Sequence, residues 1–600
     1  MRWDFLRQWL PRRPQSAAVA CGVGGVPERP PLTADGAFWA VLLVWAFCWL
    51  GWALYLASFT ISLPFIDEYV FVEYGIATGE QPLTWDFLWA PANEHRAPLT
   101  RYWCVLLGRA FNWHFRPMLQ CDLALFALGC LPLLFAVRSV RGRSSLCDCF
   151  LPLVLLSSVH QATLANYVYA YAMAVAVWCA TAAAVLARWH LRSAGHLTLY
   201  VLGALAVAWA GGPPGNLWAL GLCVPLALGW FERTGRLWKL VAVVGGAAIV
   251  ASAALLLWSI PRLSGMDAYY SESSSMTFSA ACKLSVGWMG APVLLLLYPW
   301  ALLALGVPLL WLLLSFLGDV RRLRGRALIR WSDLSALLAA ALLVAVAIAQ
   351  GRGKHAAGLW DSRYCTLVVP IAVVLFLALV RSGAPEALTG ALAVGMAVCV
   401  GWSWPGVIDS GRWRGAHQKQ LVHELREGHE PLGLLIDQYA PVVCWQREWG
   451  YQKVLAWWQK MRAARISVFD EGCDSGRCVF WPASDGTLVA GELRPIQDPD
   501  GVNGYAVEAG PGATAAYEIA VPEQGDYKLC CRWHVPESGR SFAAGVDDGP
   551  LVSQAVPDSP SSYVPCVLSR QLRLEAGKHR LVLRWPGPGS RLDVFELTPQ

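Results

Sequence analysis

The chain has 600 residues, of which 56% are hydrophobic and only 15% charged, with 32 tryptophans and a formal net charge of +6; its mean hydropathy is +0.42. A soluble protein of this length could not keep so much apolar surface out of water, so most of it must face lipid. Soluble nucleic-acid binding is thereby excluded as the meaning of the positive charge, which arginines in short membrane loops explain better.

Residues 1–36 are basic and rich in Pro and Gly, with no apolar core, so they do not read as a secretory signal peptide. Arg12-Arg13 has the form of a twin-arginine signal, but no apolar run follows closely, and a basic cytoplasmic tail fits better. Apolar stretches of membrane-crossing length then read at about 38–62, 118–137, 149–165, 168–187, 197–210, 215–231, 237–260, 288–316, 333–350, 365–380 and 386–405. The pair 197–210 and 215–231, split by Gly-Gly-Pro-Pro-Gly, carries the weakest signal. Eleven spans are therefore expected, many ending in tryptophan, such as Trp52, Trp103, Trp189, Trp238, Trp360, Trp402 and Trp404.

Arginine placement orients them. Alternate gaps carry Arg138, Arg141 and Arg143; Arg188 and Arg192; Arg233, Arg236 and Lys239; Arg321, Arg322, Arg324, Arg326 and Arg330; and Arg381. Together with the basic tail, this alternation predicts an N-in, C-out topology. The loops 63–117, 261–287 and 351–364, and everything after about 406, then face outward. That is the periplasm of a bacterial cell, with the spans in the inner membrane. Arg96, Arg101, Arg109, Arg116, Arg352, Lys354 and Arg363 fall on the side where the rule disfavours cations, so topology does not explain them. The span interiors read as almost free of charge, with Asp148, Asp333 and Glu386 at span ends. That argues against a coupled transporter or flippase, the first alternative reading.

After Trp404-Pro405 the composition changes. Residues 407–478 read as an outer helical region, with apolar residues at i, i+3, i+4 in HQKQLVHELREG and YQKVLAWWQKMRAAR. His423, Glu424, His429 and Glu430 lack the HExxH spacing of a metal site and read as a solvated helix face. Residues 479–600 alternate with period two between Pro/Gly turns, which predicts an all-β sandwich. Cys473, Cys478, Cys530, Cys531 and Cys566 would face an oxidising compartment there and could pair. No Walker loop or GxSxG elbow is present.

The first outer loop is the densest polar-aromatic segment. It carries Asp67, Glu68, Glu73, Trp85, Asp86, Trp89, Asn93, Glu94, His95, Arg96 and Arg101. Asp67-Glu68 follows a span and Pro64 directly, where a carboxylate pair is costly to keep.

Two resemblances follow from these residues. The C-terminal succession Tyr-x-Ile-x-Val-Pro-x-x-Gly-x-Tyr, a Val-Asp-Asp-Gly turn and Leu-x-Ala-Gly-x-His-x-Leu-x-Leu resembles jelly-roll carbohydrate-binding modules over about the last 110 residues. In binding members aromatic faces stack on sugars; Trp481, Trp533, Tyr563 and Trp585 fit that role or the core equally. The second resemblance rests on layout and on four short segments: Phe65-Ile66-Asp67-Glu68-Tyr69, Asn93-Glu94-His95-Arg96, HQATLANYVYAYAM (160–173) and GRGKHAAGLWDSRY (351–364). Residues 37–406 resemble the GT-C superfamily of membrane glycosyltransferases that use polyprenyl-phosphate sugars. This resemblance implies a hexosyl or pentosyl transferase with a polyprenyl-phosphate sugar donor and a glycan, lipid or protein acceptor. Asp67 would be the base, and Glu68 or Glu94 would position the acceptor or hold a divalent cation through oxygen. Arg363, then Arg352 and Arg96, would bind the phosphate through a planar bidentate fork, with His95 and Tyr364 beside them. A non-catalytic envelope protein displaying a glycan-binding sandwich is the other alternative.

Overall fold

A computed structural model describes residues 35–60, 63–64, 83–89, 96–166, 172–187, 193–232, 235–258, 298–323, 331–345, 362–427, 431–443, 454–469, 479–498, 505–537, 539–557 and 559–600. The chain divides into two units. The first comprises Met1–Ser58, Pro82–Leu106 and Met118–Ser410; the second comprises Phe59–Gln81, Leu107–Pro117 and Gly411–Gln600.

The first unit is helical. Its elements are α1 (Gly36–Phe59), α2 (Trp85–Trp89), α3 (Pro98–Ala110), α4 (Phe115–Arg141), α5 (Phe150–Leu155), α6 (Gln161–Asn166), α7 (Ala172–Ala187), α8 (Ala194–Ala210), α9 (Gly212–Glu232), α10 (Arg236–Trp258) and α11 (Tyr298–Leu323). They continue with α12 (Trp331–Ala345), α13 (Ser362–Ser382) and α14 (Glu386–Glu427), the last running on past residue 410. Four of these, α1, α4, α10 and α14, are long and apolar enough to cross a membrane. By length and composition together, four crossings are shown among the described residues, and the expected eleven are not.

Two local departures explain part of the difference. The stretch expected as one span at 149–165 is broken: α5 stops at Leu155, a single 3-10 turn occupies Ser158–His160, and α6 follows. Ser157 Oγ donates to Val154 O at 3.0 Å, the kind of local side-chain bond that competes with helix continuation. The Gly-Gly-Pro-Pro-Gly segment, expected as a loop, caps α8 at Gly211 and opens α9 at Gly212. Proline is favourable in a first helical turn, where its missing N–H has no partner to lose.

Small residues let the helices approach. A Cβ on Gly129 of α4 would lie 2.6 Å from Ala176 Cα of α7, and one on Gly221 of α9 would lie 2.7 Å from Ala340 Cβ of α12. Ion pairs tie together the helix ends expected to be cytoplasmic. Asp35 caps α1, accepting from Phe38 N (3.1 Å), Arg138 Nε (2.9 Å) and Ser144 N (3.1 Å). Burial alone would raise its carboxyl, but these bonds outweigh burial and hold it below the usual range. Arg141–Asp148 (3.3 Å), Arg143–Glu386 (3.2 Å) and Arg381–Asp333 (2.7 Å) complete the set.

One expectation about this unit is corrected. One acid stands inside a span rather than at its end: Asp122 lies inside α4, 2% exposed, in the apolar stretch read at 118–137.

The second unit holds the C-terminal end of α14, then α15 (Leu432–Gln438), α16 (Ala440–Val443), α17 (Leu455–Ala464) and, among the described residues, twelve strands. These are β1 (Val479–Pro482), β2 (Thr487–Ala490), β3 (Leu493–Gln497), β4 (Tyr505–Ala509), β5 (Thr514–Val521), β6 (Gly525–Val535), β7 (Ser541–Val546), β8 (Val552–Ala555), β9 (Ser559–Val567), β10 (Leu572–Leu574), β11 (Gly577–Arg584) and β12 (Arg591–Pro599). Among the described residues they form two antiparallel sheets. One has the path β10-β6-β12-β4-β3, with β1 on β12 and β9 on β6; the other is β2-β5-β11-β7-β8. Alternate residues Tyr527, Leu529, Cys531, Trp533 and Val535 of β6 and Leu581 and Leu583 of β11 point into the core between the sheets. The expected C-terminal β-sandwich is present.

The opposite face of β6, β9 and β12 is also buried: Cys530, Arg532, Tyr563, Asp593, Glu596 and Thr598 are all 5% exposed or less. α15 packs on that face against β6 and β9. Its first backbone amide, Leu432 N, donates to Glu596 Oε1 at 3.1 Å. Arg532 and Asp593 pair beneath it, with the guanidinium 4.9 Å from the Tyr563 ring centre. Cys530, Cys531 and Cys566 are free buried thiols; Cys473 and Cys478 lie outside the described residues. A turn at residues 111–114 is bound to the end of α17: Ser467 N donates to Asn112 O at 2.9 Å, with Asn112, Trp113, Arg465 and Ser467 all left-handed.

At the sandwich surface His579 Nδ1 bonds Asp547 Oδ2 (2.9 Å) and its Nε2 bonds Glu575 O (2.7 Å). The Asp547 bond raises the imidazole above its ordinary value; the Arg580 amide, then His579, hold the Asp547 carboxyl below its own. The histidine contribution is therefore complete below about pH 6.5 and is lost as pH rises through the raised folded value. The aspartate contribution is present above about pH 3.9 and is lost as pH falls through the lowered one. Thermal unfolding of the full-length protein followed from pH 6 to pH 9 should show the sandwich losing about 0.5 kcal/mol, the size of a solvent-screened pair. His579→Gln should flatten that dependence.

Candidate functional site

The helices between α1 and α4 are placed by side chains on one turn of α3. Thr84 opens α2, accepting from Phe87 N at 3.2 Å, with Asp86 in the first turn. Pro98 opens α3 as its first residue. Thr100 Oγ1 then donates to Ala210 O at 2.7 Å, completing the end of α8. Arg101, 1% exposed, donates from Nη1 to Phe87 O at 2.7 Å and lies 5.4 Å from the Phe87 ring centre. Trp103 Nε1 donates to Asp122 Oδ1 of α4 at 2.7 Å. Asp122 Oδ2 is buried with no partner among the described residues.

This arrangement gathers an aromatic patch. Trp85 and Trp89, one turn apart on α2, stack with centroids 5.5 Å apart and planes 21° apart. Trp209 at the end of α8 packs against both, at 5.7 and 6.2 Å. Arg96 lies 5.7 Å from the Trp89 ring centre and donates from Nη1 to Trp89 O at 2.5 Å. Trp85 is 55% exposed, so the patch presents an open indole beside a guanidinium. Such a surface can stack on sugar C–H groups and hold an anion at its edge.

A second polar cluster forms where α5 and α6 are separated. Trp52 Nε1 of α1 donates to Leu156 O at 2.9 Å, and Gln161 Nε2 donates to Tyr55 Oη at 2.9 Å. The Trp52 ring meets Trp404 of α14 at 5.1 Å, and Ser158 bonds Ser403. His160 bonds Thr366 Oγ1 of α13 through Nδ1 (3.0 Å) and Val154 O through Nε2 (3.0 Å), with the Phe126 ring 5.5 Å away.

Of the residues expected in the site, Asp67, Glu68, Glu94, His95 and Arg352 lie outside the described residues. Arg96 is in the aromatic patch. Arg363 and Tyr364 are the second and third residues of α13, and their side chains lie outside the description. His160 meets Thr366 in the second turn of α13, the helix whose second residue is Arg363, while residues 167–171 and 351–361 of the quoted segments lie outside the described residues. Sequence reading missed Trp209, Thr366 and Asp122. An acid inside an apolar run was a readable signal for Asp122; a tryptophan at a span end passes as an interfacial anchor. In the sandwich, Trp533, Trp585 and Tyr563 are core or covered at 0%, 4% and 4% exposure, and the Trp481 side chain lies outside the description. Among the described residues no cluster of three metal-ligating side chains occurs.

No protein-family model matches the chain, and no curated protein matches its sequence. Solved structures similar to it match about a fifth of its length. The GH26-CBM35 β-(1,4)-mannanase of Podospora anserina is 17% identical over 20% of this chain and 28% of its own, with a TM-score of 0.19. The C-terminal CBM6 of LamC from Zobellia galactanivorans is 17% identical over 20% of this chain and 98% of its own, at 0.18. The carbohydrate-binding module CBM6cm-2 of Cellvibrio mixtus lichenase 5A, solved with cellotriose, is 18% identical over 20% and 97%, at 0.18. The matched part thus spans little more than a quarter of the mannanase and nearly all of the two modules.

Arg101→Leu removes the bond that holds α2, and an ionic hydrogen bond of this kind contributes about 1.5–3 kcal/mol. The variant should unfold at lower temperature, and its Trp85 and Trp89 should become more open to an aqueous quencher, read by fluorescence.

Proposed function

We propose that the chain is an integral-membrane glycosyltransferase that moves a sugar from a polyprenyl-phosphate donor to an acceptor at the outer membrane face. The observation that carries this reading is the gathering of Trp85, Trp89, Trp209 and Arg96 into one patch by α3. Trp85, Trp89 and Arg96 belong to the same sequence segment as Asp67 and Glu68, between the membrane-length helices α1 and α4, the segment expected to face outward. The reaction needs little acid catalysis, because a lipid phosphate already leaves as a stable anion. The acceptor hydroxyl attacks the anomeric carbon as its proton passes to the Asp67 carboxylate, the bond from that carbon to the phosphate oxygen breaks, and the lipid phosphate departs with the electron pair. Glu68 and Glu94 would orient the acceptor. Arg363, Arg352 and Arg96 would hold the phosphate, with His95 and Tyr364 completing its surroundings. The sandwich, its sheet face covered by α15, would serve as an outer support more than as a glycan receptor.

Purified protein in nanodiscs, given labelled polyprenyl-phosphate sugar and envelope acceptors, should transfer label. Asp67→Asn should lower turnover by about 10²–10⁴, the worth of a general base. Full turnover in that variant removes Asp67 from the mechanism.

Asp122 favours one second reading, a transporter of lipid-linked or envelope components, since a buried carboxyl in an apolar helix, with one oxygen unpartnered among the described residues, is what a coupled carrier uses. Asp122→Asn separates the two. Its carbonyl still accepts from Trp103, so the enzyme should keep at least half its turnover. A carrier reconstituted in liposomes should lose coupled flux entirely.

A further inference from the structure

We propose that His160, Thr163 and Thr366 are positioning residues that fix the rotation of α13 and so the place of Arg363 at a lipid phosphate; this rests on the glycosyltransferase reading of the preceding section. The hydrogen bonds run in one direction. Val154 O can only accept, so the His160 nitrogen 3.0 Å from it, Nε2, carries the proton. Nδ1 is then an acceptor, and the Thr366 hydroxyl 3.0 Å away must donate to it. With its one proton committed, Thr366 Oγ1 accepts at 2.8 Å from Thr163 of α6. Along these three bonds the chain reads Thr163 to Thr366 to His160 to the carbonyl of Val154.

The carbonyl at its end exists because the helix is broken. Val154 O precedes the separation of α5 from α6, so His160 replaces an amide that a continuous helix would have supplied. His160 and Thr366 are 0% exposed and Thr163 is 1% exposed, with the Phe126 ring closing one side of the imidazole. Apolar residues of the same volume would fill this space at lower desolvation cost. What the polar chain adds is geometry: one azimuth of α13 satisfies it, and a rotation by one residue breaks it. Arg363 stands three residues before Thr366 and one turn nearer the start of α13, within about 60° of the same face. The bond at Thr366 therefore determines which way the arginine end of α13 is presented.

The test is binding of a short-chain polyprenyl phosphate without sugar to full-length protein in nanodiscs, followed by tryptophan fluorescence, alongside sugar transfer. Thr366→Val keeps the shape but removes the donor to His160. It should weaken lipid-phosphate binding about tenfold, the scale of one displaced ionic hydrogen bond, and raise the donor KM while leaving kcat nearly unchanged. Thr366→Ser restores the hydroxyl and should bind within twofold of wild type. Arg363→Ala should weaken binding similarly, and Thr366→Val combined with Arg363→Ala should be no worse than Arg363→Ala alone. Thr163→Val, which spares the His160 contact, should show a loss of about threefold and covers the case where Thr366→Val does not fold. Unchanged binding in Thr366→Val, additive losses in the double variant, or no lipid-phosphate binding by wild type each overturns the proposal. Wild type that binds the lipid phosphate with the expected variant pattern, yet transfers no sugar, supports the positioning role and refutes the transferase reading.

Discussion

Three elements of the helical unit depend on one helical turn. Thr100, Arg101 and Trp103 of α3 each satisfy a group on a different element: the last carbonyls of α8, the carbonyl of Phe87 in α2, and the carboxylate of Asp122 in α4. Each bond is buried or partly buried, so breaking one leaves a polar atom unsatisfied in a medium of low dielectric, which costs more than the bond contributed. That asymmetry makes the turn a rigid junction. α2 has only five residues and could not hold a defined conformation alone. Its two tryptophans acquire a fixed relation to Trp209 because Arg101 and Thr100 hold α2 and α8 to the same helix.

The sequence makes the architecture legible to the extent that hydropathy and alternation report it. Apolar runs mark where helices form, and the period-two pattern after residue 479 marks the sandwich, because both signals reflect burial summed over many residues. What is not legible is where a run breaks. Nothing in LPLVLLSSVHQATLAN distinguishes a straight helix from α5 and α6 with a turn between them, since the deciding events are the bonds of Ser157 and His160 to one carbonyl. The Gly-Gly-Pro-Pro-Gly segment misleads in the opposite sense. Its prolines read as loop-formers, but at the start of α9 they occupy the positions where a helix tolerates them.

The candidate site is legible in part for a related reason. Arg96, Trp85 and Trp89 stand out because they are charged or aromatic in one loop, whereas Trp209 is 110 or more residues away in sequence and joins them only through α3. Asp122 shows the converse failure: its signal was present, but a single acid is diluted in a stretch as apolar as 118–137. The sandwich aromatics could not be assigned from pattern alone. In β6 the sequence CCRWHV places Trp533 on the same side as Cys531, and only the pairing of β6 with β9 and β12 makes that side the core.

The sandwich bears on function through its covered face. A sheet that receives a flat or chain-like ligand must keep one surface open, yet here the surface of β6, β9 and β12 opposite the core carries buried polar residues that pair with one another and with α15. Arg591 reaches Asp498 and Glu508, Tyr563 donates to Asp498 at 2.8 Å, and Glu596 accepts from the first amide of α15. Glu596 at that helix start is also placed where the helix dipole favours an anion. Removing α15 to admit a ligand would leave Glu596 without the bond from Leu432 N. The energetics therefore favour a sandwich joined permanently to the helical segment before it, with any ligand contact confined to its loops or to the other sheet.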